Sequence, residues 1–145
     1  MSLSGLVIVV AGASKGIGKE IALRAAADGA NVVINYMSDT KAASGIVTRL
    51  GHERALAVQA DISKSADVDS LVQATVAKFG KIDILIPNAA YVPEQDLRNV
   101  TEDDFDRAFA VNVKGPCFLA KVSSPQALTR CLIHFLGSVL RLVAF

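Results

Sequence analysis

Leu6-Val-Ile-Val-Val10-Ala-Gly12-Ala-Ser-Lys-Gly16-Ile-Gly18 joins two patterns of opposite kind. Leu6 to Val10 is a short, continuous, β-branched run, the signature of a strand buried on both faces of a parallel sheet. A glycine-spaced turn closes it. Ile17, Ile21 and Ala25 then recur at helical spacing as far as Ala27, and Asp28-Gly29 supplies a stop that permits left-handed backbone at a helix end. A buried strand feeding a helix through a glycine turn is the first half of a strand-helix-strand unit.

The same alternation continues outward. Asn31 to Tyr36 is a second apolar run. Thr40 to Leu50 carries Ala43, Ile46, Val47 and Leu50 on one face before Gly51, which predicts a helix. Arg54 to Ala60 reads as strand three. Ser63 to Phe79 presents Val68, Leu71, Val72, Thr75, Val76 and Phe79 at i, i+3, i+4 spacing before Gly80, the clearest amphipathic helix of the chain. Ile82 to Ile86 is strand four. Thr101 caps a helix carried on by Phe105, Ala108, Phe109 and Asn112, with Glu102, Asp103 and Asp104 favouring its positive end and an interruption expected at Gly115-Pro116. Cys131 to Leu136 reads as strand five. The expected architecture is α/β: a Rossmann-like, doubly wound parallel sheet of order 3-2-1-4-5 with right-handed crossovers, ending after strand five.

Composition excludes other classes. A chain of 145 residues is the size of one domain. Its 15 Lys plus Arg nearly cancel 14 Asp plus Glu, so no basic field holds nucleic acid or an anionic membrane. Cys117 and Cys131 have neither metal-ligand nor redox-pair spacing and read as buried apolar residues in a reducing compartment. No cation precedes the short run Leu6 to Val10, so the start reads as that of a mature cytoplasmic protein rather than a signal peptide. Cys131 to Phe145 is apolar but interrupted by His134 and Arg141, short of the roughly 20 apolar residues that span a bilayer.

The turn carries the chemistry. Between a strand and a helix, a dinucleotide pyrophosphate would meet free backbone N–H groups and the positive helix end. Gly12 allows the bend, Gly16 lets the backbone approach the phosphates and Gly18 allows close packing. Glycines alone would be an ordinary turn; the flanking strand and helix favour the nucleotide. Ser14, Lys15 and Ile17 complete the contacts expected of the turn. The cofactor type is read at the end of strand two, where a carboxylate would accept a ribose 2′-hydroxyl and repel a 2′-phosphate. Asn35 and Tyr36 stand there, with no acid before Asp39, while Ser14 and Lys15 are placed to meet an extra phosphate. NADP(H) is therefore expected over NAD(H), with Asn35 among the contacts; Lys15 would otherwise be a solvated surface charge.

The spacing Gly12-x-x-x-Gly16-x-Gly18 resembles that of the short-chain dehydrogenase/reductases. Asp61, after strand three, resembles that family's adenine-contacting Asp, and Asn88-Ala89-Ala90 resembles its Asn-Asn-Ala-Gly segment beside the ribose. Asn112 in Val111-Asn-Val-Lys-Gly115 resembles its helix asparagine, which helps organise the active site. Pro116 lacks the N–H that would bond the Asn112 carbonyl, leaving that carbonyl for the water which in the family leads to a catalytic Lys. Pro87-Asn88 and the Asn-Val-Lys-Gly-Pro segment resemble ketoreductases of fungal secondary metabolism. The resemblance implies reduction of a small carbonyl substrate by NADPH, with Asn112 and Ser138 as catalytic residues. It covers about residues 3 to 120.

Departures qualify that implication. In the family a Tyr donates the proton, its acidity raised by a Lys four residues later. The only tyrosines here are Tyr36 and Tyr91, followed four residues on by Thr40 and Gln95. Ala11, Pro87 and Ala90 also replace the family's usual residues. The expectation is an NADP-binding domain over residues 1–122 and a divergent apolar segment of the same domain over 123–145, truncated and catalytically silent. An active reductase and a non-enzymatic regulatory domain sensing the nucleotide pool are the alternatives. Handedness places the first two helices on one face and the next two on the other; with no later helix to cover the first face, side chains of Ile82 to Ile86 and Cys131 to Leu136 that point there should be underburied, and strand five should be an exposed apolar edge prone to self-association unless Val139 to Phe145 folds back over it.

Overall fold

The computed structural model describes residues 2–93, 96–123 and 132–133. Strand β1 (Val7–Val10) is buried at all its positions and lies at the centre of the sheet. It pairs in parallel with β2 (Asn31–Tyr36) on one side and β4 (Ile84–Ile86) on the other, Val9 standing opposite both Val33 and Leu85. β3 (Ala55–Gln59) pairs with β2, and β5 (Leu132–Ile133) with β4, which gives the order β3-β2-β1-β4-β5. The flanks of the expected strand five lie outside the described residues, as do Cys131 and Ser138.

Side chains alternate across the sheet because the strand period is two. Ile8, Val10, Val32, Ile34 and Tyr36 meet helices α1 (Gly16–Ala27) and α2 (Thr40–Leu50) through Ala22, Ala25, Ala43 and Ile46. Val9, Ala11, Val33 and Leu85 meet α3 (Ser65–Phe79) and α5 (Gly115–Ser123) through Val68, Leu71, Val72 and Leu119. Consecutive right-handed crossovers require this split between faces. Local chemistry sets the ends. Asp39 caps α2 by accepting from the Ala42 N–H at 3.0 Å, Gly80 ends α3 in left-handed backbone, and Arg54 donates to the carbonyls of Ala26, in the last turn of α1, and of Ala30, just past it. β4 is shorter than its apolar pattern because Asp83 turns its carboxylate onto the Val7 N–H at 2.7 Å.

Two expectations are corrected. Helix α4 (Glu102–Phe109) is not broken at Gly115-Pro116; it widens into a π-helical turn over Ala110–Lys114 and resumes as α5. The Gly115 N–H donates to the Ala110 carbonyl, five residues back, so the register has shifted before Pro116, which sits in the first turn of α5 where a missing N–H is tolerated. Gly115 is needed there because a Cβ would lie 2.8 Å from the Ile62 carbonyl oxygen. Cys117 is exposed rather than buried, since α5 packs through Leu119 and Ser123.

On the first face Ile84 and Ile86 are only half-buried, whereas Ile82 and Leu85 on the other face are fully buried. They form one wall, with Ile8, Ile21 and Ala25, of an apolar groove of about 1050 Å³ that runs to Ser14–Ile17. Underburial of β4 on the α1 face is what the crossover argument requires. Among the described residues no helix is long and apolar enough to cross a membrane.

Candidate functional site

The C-terminal ends of β1, β3 and β4 bring the predicted residues to one edge of the sheet. Gly12 follows β1 with φ +65°, and a Cβ on it would lie 2.8 Å from the Ala89 Cα, so the bend and the approach of the β4 loop both exclude a side chain. Gly16 has φ +57° and nothing within 4 Å of where a Cβ would be, leaving open space above the start of α1. Gly18 packs against the turn itself: a Cβ there would meet the Asn88 Nδ2 and the Gly12 carbonyl oxygen at 2.5 Å. Asn88 ties strand to turn, its Nδ2 donating to the carbonyls of Ala11 at 3.0 Å and Gly12 at 3.1 Å. Ser14 is half-buried, Lys15 is exposed, and Ile17 is 69% exposed, an unusual setting for an isoleucine.

The N-terminus of α1 differs from those of its neighbours. Lys15 at the N-cap makes no side-chain cap, and the first turn holds no acid. By contrast α2 is capped by Asp39, α3 carries Asp67 in its first turn, and α4 has a Thr101–Asp104 capping box plus Glu102 and Asp103. First-turn N–H groups need an acceptor, and at α1 the chain leaves that acceptor to something else.

Asn35 sits elsewhere than a direct ligand contact would require. It is 2% exposed; its Oδ1 accepts from the Gly12 N–H at 3.2 Å and its Nδ2 donates to the carbonyls of Ala60 at 3.0 Å and Val58 at 3.4 Å. Its side chain braces the turn from beneath. Tyr36 is buried in the core, so Met37 and Ser38 are what the end of β2 exposes. The nearest acid, Asp39, is engaged in capping α2.

Asp61 lines a polar cavity of about 370 Å³ with Met37, Gln59, Lys64, Asp67 and Ser70. Burial pushes its carboxyl up, but hydrogen bonds from the Ser63 hydroxyl and N–H, with the charges of Lys64 and Arg107, outweigh burial and hold it below the usual carboxylate range. Its Oδ1 serves Ser63, while Oδ2 has Lys64 Nζ only at 3.9 Å. Asn112 clamps the loop after β4: its Oδ1 accepts from the Tyr91 N–H and its Nδ2 donates to the Tyr91 carbonyl, both at 2.8 Å. Sequence reasoning missed this clamp and the contacts of Tyr91, whose hydroxyl donates to Asp104 Oδ1 at 3.0 Å beneath the Arg107 guanidinium, 4.4 Å from the ring centroid. The hydrogen bond to Asp104 pushes the Tyr91 hydroxyl up, away from the acidity a proton donor needs. The one signal available in sequence was Thr101-x-x-Asp104, which fixes the aspartate.

A family model, that of the short chain dehydrogenases, matches residues 6–140. The chain belongs to the short-chain dehydrogenase family. Among its relatives, the hydroxynaphthalene reductase-like protein Arp2 of Metarhizium robertsii is 42% identical over 125 residues, 83% of this chain and 46% of that protein. A short-chain dehydrogenase of Burkholderia cenocepacia in complex with NADP superposes with a TM-score of 0.85 at 33% identity, over 92% of this chain and 56% of that one. The 3-ketoacyl-(acyl-carrier-protein) reductase of Brucella melitensis complexed with NADH gives 0.85 at 39% identity, over 92% and 57%. This chain spans about half the length of the curated relatives it matches. Its oxidoreductase-family Rossmann fold is thus shown both by the sheet and by the match.

Proposed function

We propose that this chain is the nucleotide-binding part of a short-chain dehydrogenase, holding NADP(H) over residues 1–122, and that its lineage reduced ketones to alcohols. The observation that carries the reading is the start of α1: uncapped, acid-free N–H groups beside Gly16, with open space above. A pyrophosphate supplies the acceptor those groups lack. The residues present fit the group: a side chain at Gly12 or Gly18 would collapse the cradle, Asn88 and Asn35 hold its shape, and the Asp61 carboxyl, held in its ionised form, lines a polar cavity. When bound, the nicotinamide supplies a hydride for a carbonyl carbon. Lys15 and Ser14 would meet the 2′-phosphate or pyrophosphate, and Ile17 would cover the dinucleotide.

NADP(H) is preferred over NAD(H) because β2 ends on Asn35 and Tyr36 rather than on a carboxylate, and the next acid, Asp39, caps α2 through its Oδ1. The Burkholderia structure holds NADP and the Brucella structure NADH, so the preference rests on this chain's own residues. Both the Metarhizium and Brucella relatives carry reductase names, which supports carbonyl reduction in the lineage. A cytoplasmic setting belongs to the same reading. No tyrosine of this chain is followed four residues later by Lys, and Tyr91 is turned toward a carboxylate. A protein of these 145 residues should therefore bind NADPH more tightly than NADH and consume none with ketones, since positioned acid catalysis supplies about 10²- to 10⁴-fold. Calorimetric titration and a spectrophotometric assay test this. Folded protein that binds neither nucleotide at millimolar concentration overturns the site; ketone-dependent NADPH oxidation overturns the silence.

A further inference from the structure

The apolar groove on the α1 side of the sheet, about 1050 Å³ in volume, lies between α1 and β4. Ile21 and Ala25 line it from the helix, Ile84 and Ile86 from the strand, and Ile8 of β1 lies between them. It runs the length of α1. Ser14 to Ile17 bound it where the helix begins. Leu3 and Asp28 bound it where the helix ends, the Leu3 N–H donating to the Asp28 carbonyl at 2.8 Å. Twelve residues of helix make this length about 18 Å.

The two ends differ in charge. Where the helix ends, Arg24 and Asp28 both line the groove 3.2 Å apart, and their charges cancel. Where it begins, Lys15 and Lys19 stand in the lining against one acid, Glu20, and among the described residues neither ammonium joins an ion pair. The first-turn N–H groups of α1, without a side-chain cap or an acid, add to the same sign. An occupant complementary to this surface is aliphatic along its length and negative at one end only. An extended peptide is not such an occupant, because its backbone polar groups would lie unpaired on an aliphatic wall.

We propose that the groove binds a straight-chain carboxylate, its tail along Ile21, Ala25, Ile84 and Ile86 and its head against Lys15, Lys19 and the start of α1. An extended chain gains about 1.2 Å per bond, so about fifteen bonds reach from one end of the groove to the other. Ile17, 69% exposed beside the head, gains an apolar neighbour. The head takes the N–H groups to which a pyrophosphate is assigned above, so the two ligands exclude each other; this consequence alone rests on the NADP(H) reading.

The test is calorimetric titration of the whole chain with carboxylates from hexanoate to tetradecanoate, each below its micelle concentration. Full burial of a methylene is worth about fourfold in affinity, and an open groove covers about half of it, so one ligand per chain should bind about twofold tighter for each methylene added. Decyltrimethylammonium, the same tail with the opposite head, should bind about tenfold more weakly than decanoate. Lys15→Glu, at an exposed position, should weaken decanoate about tenfold and decyltrimethylammonium not at all; Ile84→Ser should weaken both alike. Equal affinity for the two heads, or affinity independent of chain length, overturns the proposal. A dimer that takes up no carboxylate puts a second copy in the groove, and a monomer that takes up none leaves the groove without this ligand; both results overturn it. Saturating dodecanoate should also weaken NADPH binding. Unchanged NADPH affinity would put the head elsewhere and overturn the proposal, whereas a chain that binds dodecanoate but no NADPH upholds it and overturns only the nucleotide reading.

Discussion

Asn35 shows how one buried amide shapes the turn without touching a ligand. Its side chain satisfies the Gly12 N–H and two carbonyls of the β3 end. Asn35→Ala should destabilise the fold by about 2 kcal/mol, the scale of polar groups left buried and unpaired, as read by urea denaturation. Asn35→Asp should be worse, because a carboxylate oxygen would then face the Val58 and Ala60 carbonyls. An Asn35→Ala protein as stable as the original would contradict the bracing role. Asp61 gives a pH-dependent counterpart. Burial raises its carboxyl, but Ser63, Lys64 and Arg107 lower it further, so the folded value lies below the unfolded one of about 3.9. Ionised Asp61 therefore contributes stability at pH values above the unfolded value, and this is lost as pH falls through the folded value. The stability difference between the original and Asp61→Asn should be constant near neutral pH and close only below about pH 4, measured by denaturation across that range.

At the scale of elements, α4 is the outlier. It buries none of its residues, and its N-terminus is held by the Thr101–Asp104 capping box. Such a helix depends on its cap and on the grip of Asp104 and Arg107 on Tyr91. Thr101→Ala should cost about 1 kcal/mol and act locally. In hydrogen exchange the α4 amides should open well before those of β1 or α3, and the substitution should speed α4 alone. Protection of α4 equal to that of β1 would show it docked by contacts other than these. The neighbouring π turn adjusts the winding between α4 and α5, so that α5 begins with Gly115 packed on the Ile62 carbonyl.

Across the whole molecule the two faces of the sheet are unequally covered. Leu85 is fully buried against the α3 and α5 layer, while Ile84 and Ile86 look onto the groove beside α1. Leu85→Ala should cost about 2–5 kcal/mol, and Ile84→Ala clearly less, because its environment already lacks close packing. Denaturation of the two variants measures the difference; equal losses would mean that the groove is filled in solution. An accessible apolar groove of this size should also bind a hydrophobic dye and favour self-association at high concentration.

What the sequence determined by itself is whatever depends on near neighbours along the chain. The β-branched run Val7–Val10, the helical spacing in α2 and α3, and Gly12 and Gly16 at positive φ all follow from local sterics and period. Asn35, Asn112, Tyr91 and Arg107 are different. That Asn35 turns inward, that Asn112 clamps a backbone 21 residues away, and that Arg107 settles over Tyr91 were decided only by tertiary structure. So were the exposure of Cys117 and the π winding ahead of Pro116. Polar side chains have several partners within reach in any local conformation, and the choice among them is made by which distant groups packing leaves unsatisfied beside them.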